Sequence, residues 1–392
     1  MKDYLEIKKF GPIKEVNIEI KELTIFIGTQ GSGKSTISKL LTICRDVHWY
    51  IRILEKNDVL HPFVDFNINE YFQEDTYIHY YNSFTKIEVT YQNKEFSIRM
   101  GELSNNKLLD LANGWINWAN EDLMNKSLTI PNEINTADII ENKVKQANSR
   151  MILYIPAERN LIGNLSSALA SILSARIPLS DTIIEYMSLF EKAKKEFPKY
   201  EIPFLRVRYE KKDGEERIVL SAEGTDLPLN ACSSGLQSVL PMIMVIDYAL
   251  KLKCFDAFVI EEPEQNLFPK NQCELLAFIT SKQNELTDKQ FVITTHSPYL
   301  LSYLNVLMLA YKLYQHDIIS KEVSEIVPPN LMVNPDSVAV YNLDPQKEIY
   351  CKSLIAERSG LISVNELDSV SEFIGDTYDR LYRLYIQTKK KK

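Results

Sequence analysis

The stretch from Leu23 to Ser35, LTIFIGTQGSGKS, leaves this chain few folds to choose from. Leu23–Gly28 is a short apolar run that ends in glycine, and from about Ser35 the residues Ile37, Leu40, Leu41 and Cys44 recur at helical spacing. A buried strand therefore feeds a glycine-rich turn and then a helix. The turn reads G-x-x-x-x-G-K-S. Glycines there let the backbone wrap around an anion with its amides pointing inward, and the helix after it adds its positive end. A polyphosphate fits this pattern. Lys34 is placed to reach the β- and γ-phosphates and Ser35 to bind Mg²⁺, and Gly28, Thr29, Gly31, Ser32, Gly33 and Thr36 supply the rest of the cradle. An incidental glycine turn is the plain alternative, but the strand before it and the helix after it argue for a bound nucleotide.

A second stretch, FVIEEPEQNLFP from Phe258 to Pro269, carries an apolar segment straight onto Glu261 and Glu262, with Glu264 close behind. Carboxylates at the end of a buried strand cost desolvation unless a cation meets them. Downstream of a phosphate loop, the magnesium of a bound nucleotide is that cation. Glu261 is expected to meet the metal's hydration shell, and Glu262 to polarise a water for attack on the γ-phosphate.

The rest of the chain builds a frame around these two segments. YLEIKKF and VNIEI alternate like strands about a GP turn, and MILYI, AFVIEE and QFVITTH read as further strands. Helical patterns lie between them, at Asp181–Phe197, after Ser233-Ser234 and from Pro269. Nearly continuous apolar strands alternating with helices indicate a mostly parallel sheet covered on both faces, an α/β fold. The hairpin FLRVRYEKKDGEERIVLSA adds an antiparallel part. The segment 46–149 is rich in Asn, Tyr and charge and reads as an inserted α+β subdomain, with helical pieces around Lys107–Leu123 and Ala137–Asn148. The core is then expected over 1–45 and 150–315. A C-terminal α/β extension follows over 316–392, with an amphipathic helix around Glu366–Ile386 and a basic KKKK tail.

The 392 residues carry a net charge of −8, so no global field draws the chain to nucleic acid or to an anionic membrane. The five cysteines are scattered, which excludes a disulfide frame or a C-x-x-C zinc site. The first residues lack a signal-peptide core, and the longest apolar stretches are interrupted by charge. A soluble cytoplasmic protein without a membrane partner is the expectation.

Two more segments resemble those of a known family. ACSSGLQS (Ala231–Ser238) resembles the signature motif of ABC-class ATPases, and FVITTHSP (Phe291–Pro298) their switch strand. With the phosphate loop, IEEPEQNLFP and the opening IKKFGPIKEV, the chain resembles the ABC-type AAA ATPases of prokaryotes, P-loop NTPases related to OLD-family ATPases and to the heads of SMC and recombination-repair ATPases. The likeness covers about residues 1–55 and 150–310. It implies that Glu262 and His296 are catalytic and that Ser35 and Glu261 serve the metal. It also implies that Ser233, Ser234 and Gly235 contact a nucleotide held by the other subunit of a homodimer.

Glu261 replaces the more usual aspartate, and Asn266 and Phe268 stand where many relatives carry histidines. No glutamine stands clearly in the place of the family's glutamine loop, and PAERN, through Glu158 or Arg159, is the region expected to fill it. A long coiled coil and a TOPRIM-type acidic cluster are both missing, since acids such as Asp336, Asp344, Glu366 and Asp368 are scattered. The resemblance thus implies the ATPase part of an OLD-like antiviral defence system, switching a separate effector such as a nuclease. The alternatives are a repair ATPase acting on DNA through basic runs such as EKAKKEFPK, the nucleotide-binding subunit of an ABC transporter, and a non-hydrolysing ATP-bound scaffold.

Overall fold

The computed structural model describes residues 3–46, 49–50, 52–53, 58–82, 87–100, 151–160, 180–212, 215–220, 225–253, 255–286, 289–363 and 377–382. Its centre is a sheet of six strands: β3 (Leu23–Gly28), β7 (Met151–Ile155), β12 (Phe255–Glu261), β13 (Gln290–Thr295), β14 (Val338–Leu343) and β15 (Cys351–Ser353). Their order is β15-β14-β3-β13-β12-β7, and every pair is parallel except β14–β15 at the edge. This is the α/β P-loop fold expected from the sequence.

The apolar runs of these strands are continuous because both faces of the sheet are covered. Side chains alternate between faces with a period of two. Leu23, Ile25, Phe258, Ile260, Phe291 and Ile293 join one core cluster, whereas Phe26, Val259 and Val292 join the other. The second cluster holds α1 (Lys34–Arg45), whose Ile37, Leu40, Leu41 and Cys44 are buried as the helical spacing requires. It also takes in Phe63 of the short α2 (His61–Asp65). The first cluster is packed by the helices α3 (Asp181–Glu196), α4 (Ser234–Leu252), α5 (Pro269–Glu285) and α6 (Pro298–Tyr314). Each buried aliphatic side chain of α1 contributes roughly 1.5–3 kcal/mol by leaving water, which fixes that helix against the sheet directly after the phosphate loop. Helix α4 is long and apolar enough to cross a membrane, but most of it is buried inside the fold, as in a core helix.

Behind α1 stands an antiparallel sheet. It contains β1 (Asp3–Phe10), β2 (Ile13–Ile20), β4 (Phe72–Asn82), β5 (Ile87–Gln92) and β6 (Glu95–Met100), in the order β2-β1-β4-β5-β6. A third sheet, β11-β10-β9-β8, is made of β8 (Lys199–Ile202), β9 (Val207–Lys212), β10 (Glu215–Leu220) and β11 (Thr225–Leu227). Lys212 lies opposite Glu215 in it, the register of a hairpin closed by two residues.

Sheet pairing crosses both boundaries drawn from composition. Strands β4–β6 fall within 46–149, yet β4 pairs with β1 along most of its length. Strand β14 falls within 316–392, yet it lies parallel to β3, with Leu343 opposite Gly28. A composition shift marks a change in local sequence and carries no information on which distant strand a segment pairs with. The helices expected at 107–123 and 137–148 lie outside the described residues. Of the one expected over 366–386, residues 377–382 are described and helical.

Candidate nucleotide site

The strands β3, β13 and β12 end level with one another, Thr295 opposite Ile27 and Glu261 opposite Thr294. The segments that leave their C-terminal ends therefore meet at one edge of the sheet, where parallel α/β proteins place their ligands. The phosphate loop leaves β3, His296 comes directly after β13, and Glu262 directly after β12.

In the loop, Thr29 and Gly31 are exposed, and Ser32, Gly33, Lys34 and Thr36 are buried. Gly33 caps α1 with φ at 91°, a backbone that residues with a side chain rarely adopt. Lys34 folds back over the loop, its Nζ donating to the carbonyls of Gly28 at 2.8 Å and Thr29 at 2.9 Å. Burial lowers its pKa to about 8, against the pull of Glu262, Glu264 and Glu261. A phosphate offers this ammonium a stronger partner than two carbonyls.

The two adjacent acids have different surroundings. Glu261 is 3% exposed, and burial raises its pKa, opposed by Lys39 and by the side chains of Ser35 and Tyr154. Its Oε1 has no hydrogen-bond partner. An unmet, buried carboxylate oxygen beside the Ser35 hydroxyl suits a hard divalent cation. Among the described residues no cluster of His, Cys, Asp or Glu makes a cage for one, so phosphates and water would complete the coordination. The Glu262 side chain is instead 32% exposed, and its Oε1 lies 3.4 Å from Nε2 of His296. Glu264 is turned inward, its Oε1 accepting from the Thr295 hydroxyl at 2.6 Å and from the His296 amide at 2.9 Å. This buried carboxylate fixes the backbone of His296 relative to the acidic turn.

Ser233 caps α4, accepting from the amide of Leu236. Ser233 and Ser234 are exposed or nearly so, whereas Gly235 is buried. A Cβ on Gly235 would lie 2.7 Å from the carbonyl oxygen of Asn266, in the turn after the acids. The start of α4 thus abuts the acidic turn of its own chain and leaves two serines facing outward.

Three contacts escaped sequence reasoning. Arg159, within the segment assigned to the glutamine loop, lies under the acidic turn and donates to the backbone carbonyls of both Glu261 and Glu262. The Tyr350 hydroxyl donates to the carbonyl of Ser32, and a Cβ on Gly33 would meet that hydroxyl at 2.6 Å. The Leu343 carbonyl leaves no space for a side chain at Gly28. Only PAERN, a charged turn after an apolar strand, hinted at the first; Tyr350 and Leu343 carry no local signal.

If Lys34 meets the phosphates, Lys34→Ala removes the main positive charge of the loop and is expected to weaken ATP binding at least about tenfold, or 1.4 kcal/mol. The lysine also makes binding pH-dependent. With its pKa near 8, about half of the free sites hold it neutral at that pH. Phosphates favour the ammonium form, so ATP binding takes up about half a proton at pH 8 and weakens as the pH rises further. Calorimetry in buffers of different ionisation enthalpy should show this uptake in the wild type and lose it in Lys34→Ala.

The AAA ATPase domain family model matches residues 1–301. No curated protein matches the chain. Among solved structures it is similar to the SMC head domain from Thermotoga maritima, with 12% identity and a TM-score of 0.38, covering 77% of this chain and 91% of that one. It is also similar to the Smc head domain with an extended coiled coil bound to the C-terminal domain of ScpA, from Pyrococcus furiosus, with 12% identity, a TM-score of 0.38 and coverage of 95% and 99%. An ATP-binding cassette of an ABC transporter in its ADP conformation gives 15% identity and a TM-score of 0.30, with coverage of 77% and 85%. The matched residues run from β1 past His296 and so take in the phosphate loop, the acidic turn and the start of α4, and on that match the chain belongs to the AAA ATPase domain family.

Proposed function

We propose that this protein binds and hydrolyses ATP, pairs with a second copy through shared nucleotides, and so switches a partner effector. The observation that carries the reading is the contrast between Glu261, buried with an unmet oxygen, and Glu262, its half-exposed neighbour beside His296. One suits a metal and the other a water. In this reading the backbone amides of Gly31–Ser35 and the Lys34 ammonium hold the β- and γ-phosphates. Ser35 and Glu261 would hold Mg²⁺, which supplies charge to the phosphate oxygens when bound. Glu262 orients the attacking water and accepts its proton on the carboxylate, and His296 fixes that carboxylate's position.

The serines at the start of α4 support the pairing. A helix N-terminus attracts an anion, and in this reading the chain's own loop already encloses its own nucleotide. Two copies related by a two-fold axis could then each complete the other's site. A nuclease as effector rests on the resemblance to OLD-like ATPases alone. Part of the charge in the basic runs is engaged by acids of the same chain. Lys194 is paired with Glu191 and Glu216 at 2.7 and 2.9 Å, Arg208 with Glu210 at 2.6 Å, and Lys211 lies 3.9 Å from Glu216. Lys194 and Arg208 are thus engaged within the fold.

If sites are shared between copies, ATPase activity per subunit should rise with protein concentration and then level off. A constant specific activity from the nanomolar range upward, with light scattering showing monomers in ATP, would exclude shared sites. Purification of the native complex would identify the effector.

A further inference from the structure

The work assigned to Glu261 and Glu262 does not by itself require a guanidinium beneath them. Arg159 is nevertheless fully buried in the short 3₁₀ turn after β7. Its Nη1 donates to the carbonyls of Pro156, at 3.0 Å, and Glu261, and its Nη2 to the carbonyl of Glu262. Among the described residues no carboxylate forms an ion pair with it. Burying a cation is costly unless hydrogen bonds satisfy it, so a purely space-filling role would favour an apolar side chain.

The backbone it grips is unusual. Glu262 has φ at 43°, in the left-handed region that a side chain disfavours. Such a residue stays there only when its surroundings hold it. The amide of Glu262 donates to the Thr294 carbonyl at 2.9 Å, and its carbonyl is held by Arg159. Both peptide groups flanking Glu262 are therefore fixed, one side from β13 and the other from below.

We propose that Arg159 is a positioning residue for hydrolysis: by bridging two consecutive carbonyls it holds Glu262 in the left-handed turn that points its carboxylate toward the attacking water. A guanidinium meets the two carbonyls with separate nitrogens held in one rigid plane, whereas an ammonium offers a single nitrogen without that fixed geometry. This rests on the reading of Glu262 as the residue that orients water.

The test is a double-mutant cycle on the full chain. Arg159→Lys keeps the charge and loosens the bridge. It is expected to lower kcat at least about 20-fold while the affinity for ATP stays within about threefold. In the Glu262→Gln background the same change should alter the residual rate by less than about twofold, because its effect passes through a carboxylate that is no longer there. Equal fractional losses in both backgrounds would show a general structural role and overturn the proposal. Wild-type turnover by Arg159→Lys beside a slow Glu262→Gln would overturn it alone. Wild-type turnover by Glu262→Gln would instead overturn the reading of Glu262, and this proposal with it. Arg159→Met, which removes the charge and both bonds, should lose more than Arg159→Lys; if it fails to fold, the lysine variant alone completes the cycle.

Discussion

Glu262→Gln is expected to bind ATP within about threefold of wild-type affinity and to turn it over at least about 100-fold more slowly, a loss of roughly 2.7 kcal/mol of transition-state stabilisation. Glutamine keeps the size of the side chain and removes the charge that, in the proposed mechanism, orients a water and takes its proton. The left-handed backbone and the bonds to the Thr294 carbonyl and Arg159 use main-chain atoms of residue 262 alone, so they survive the change. Affinity should survive as well, because the phosphate contacts proposed for Lys34 and the loop amides do not involve Glu262. Glu261→Gln should behave differently. Its carboxylate is buried with one oxygen unmet, so losing its charge weakens the metal's hold, and rising Mg²⁺ should partly restore the rate. Nucleotide titration and single-turnover rates on both variants measure this. Normal turnover by Glu262→Gln together with a slow Glu261→Gln would reverse the two roles.

The second large effect concerns pairing, and the structure decides which residue tests it. Gly235 is the obvious member of the signature segment, but a side chain there would press on the Asn266 carbonyl of its own acidic turn. Gly235→Asp would therefore disturb the chain's own site and the partner's together. Ser234 is exposed and is the first residue of α4. An acid in a first helical turn favours the helix by about 0.3–1 kcal/mol, so Ser234→Glu should fold at least as well as the wild type. The same negative charge repels an incoming γ-phosphate. ATP binding by isolated subunits is expected to stay intact, while ATP-dependent pairing weakens at least about 100-fold and hydrolysis falls with it. Light scattering on Glu262→Gln protein, with and without Ser234→Glu, separates the outcomes. Equal ATP-dependent pairing in both would sink the shared-site model.

Adjacent residues encode the parts of this protein that local rules govern. A short apolar strand, a glycine turn with positive φ at Gly33 and an amphipathic helix are each encoded by adjacent residues, so the phosphate loop was legible in Leu23–Cys44. The acidic turn was legible too, because two carboxylates at the end of a buried strand require a counter-charge wherever the strand lies. The motif order pointed to the fold, since continuous apolar strands can only be covered on both faces. Tertiary structure alone decided which strands are neighbours: β14 beside β3, and β4 beside β1 across a composition boundary. It also made the two acids unequal, since the left-handed turn at Glu262 carries that side chain out of the buried row in which Glu261 remains. The braces around the site belong to the same class. Arg159 grips carbonyls 102 and 103 residues away, and Tyr350 reaches a carbonyl 318 residues back along the chain. A backbone carbonyl is the same acceptor in every residue, so no pattern of side chains announces which one a distant donor will find.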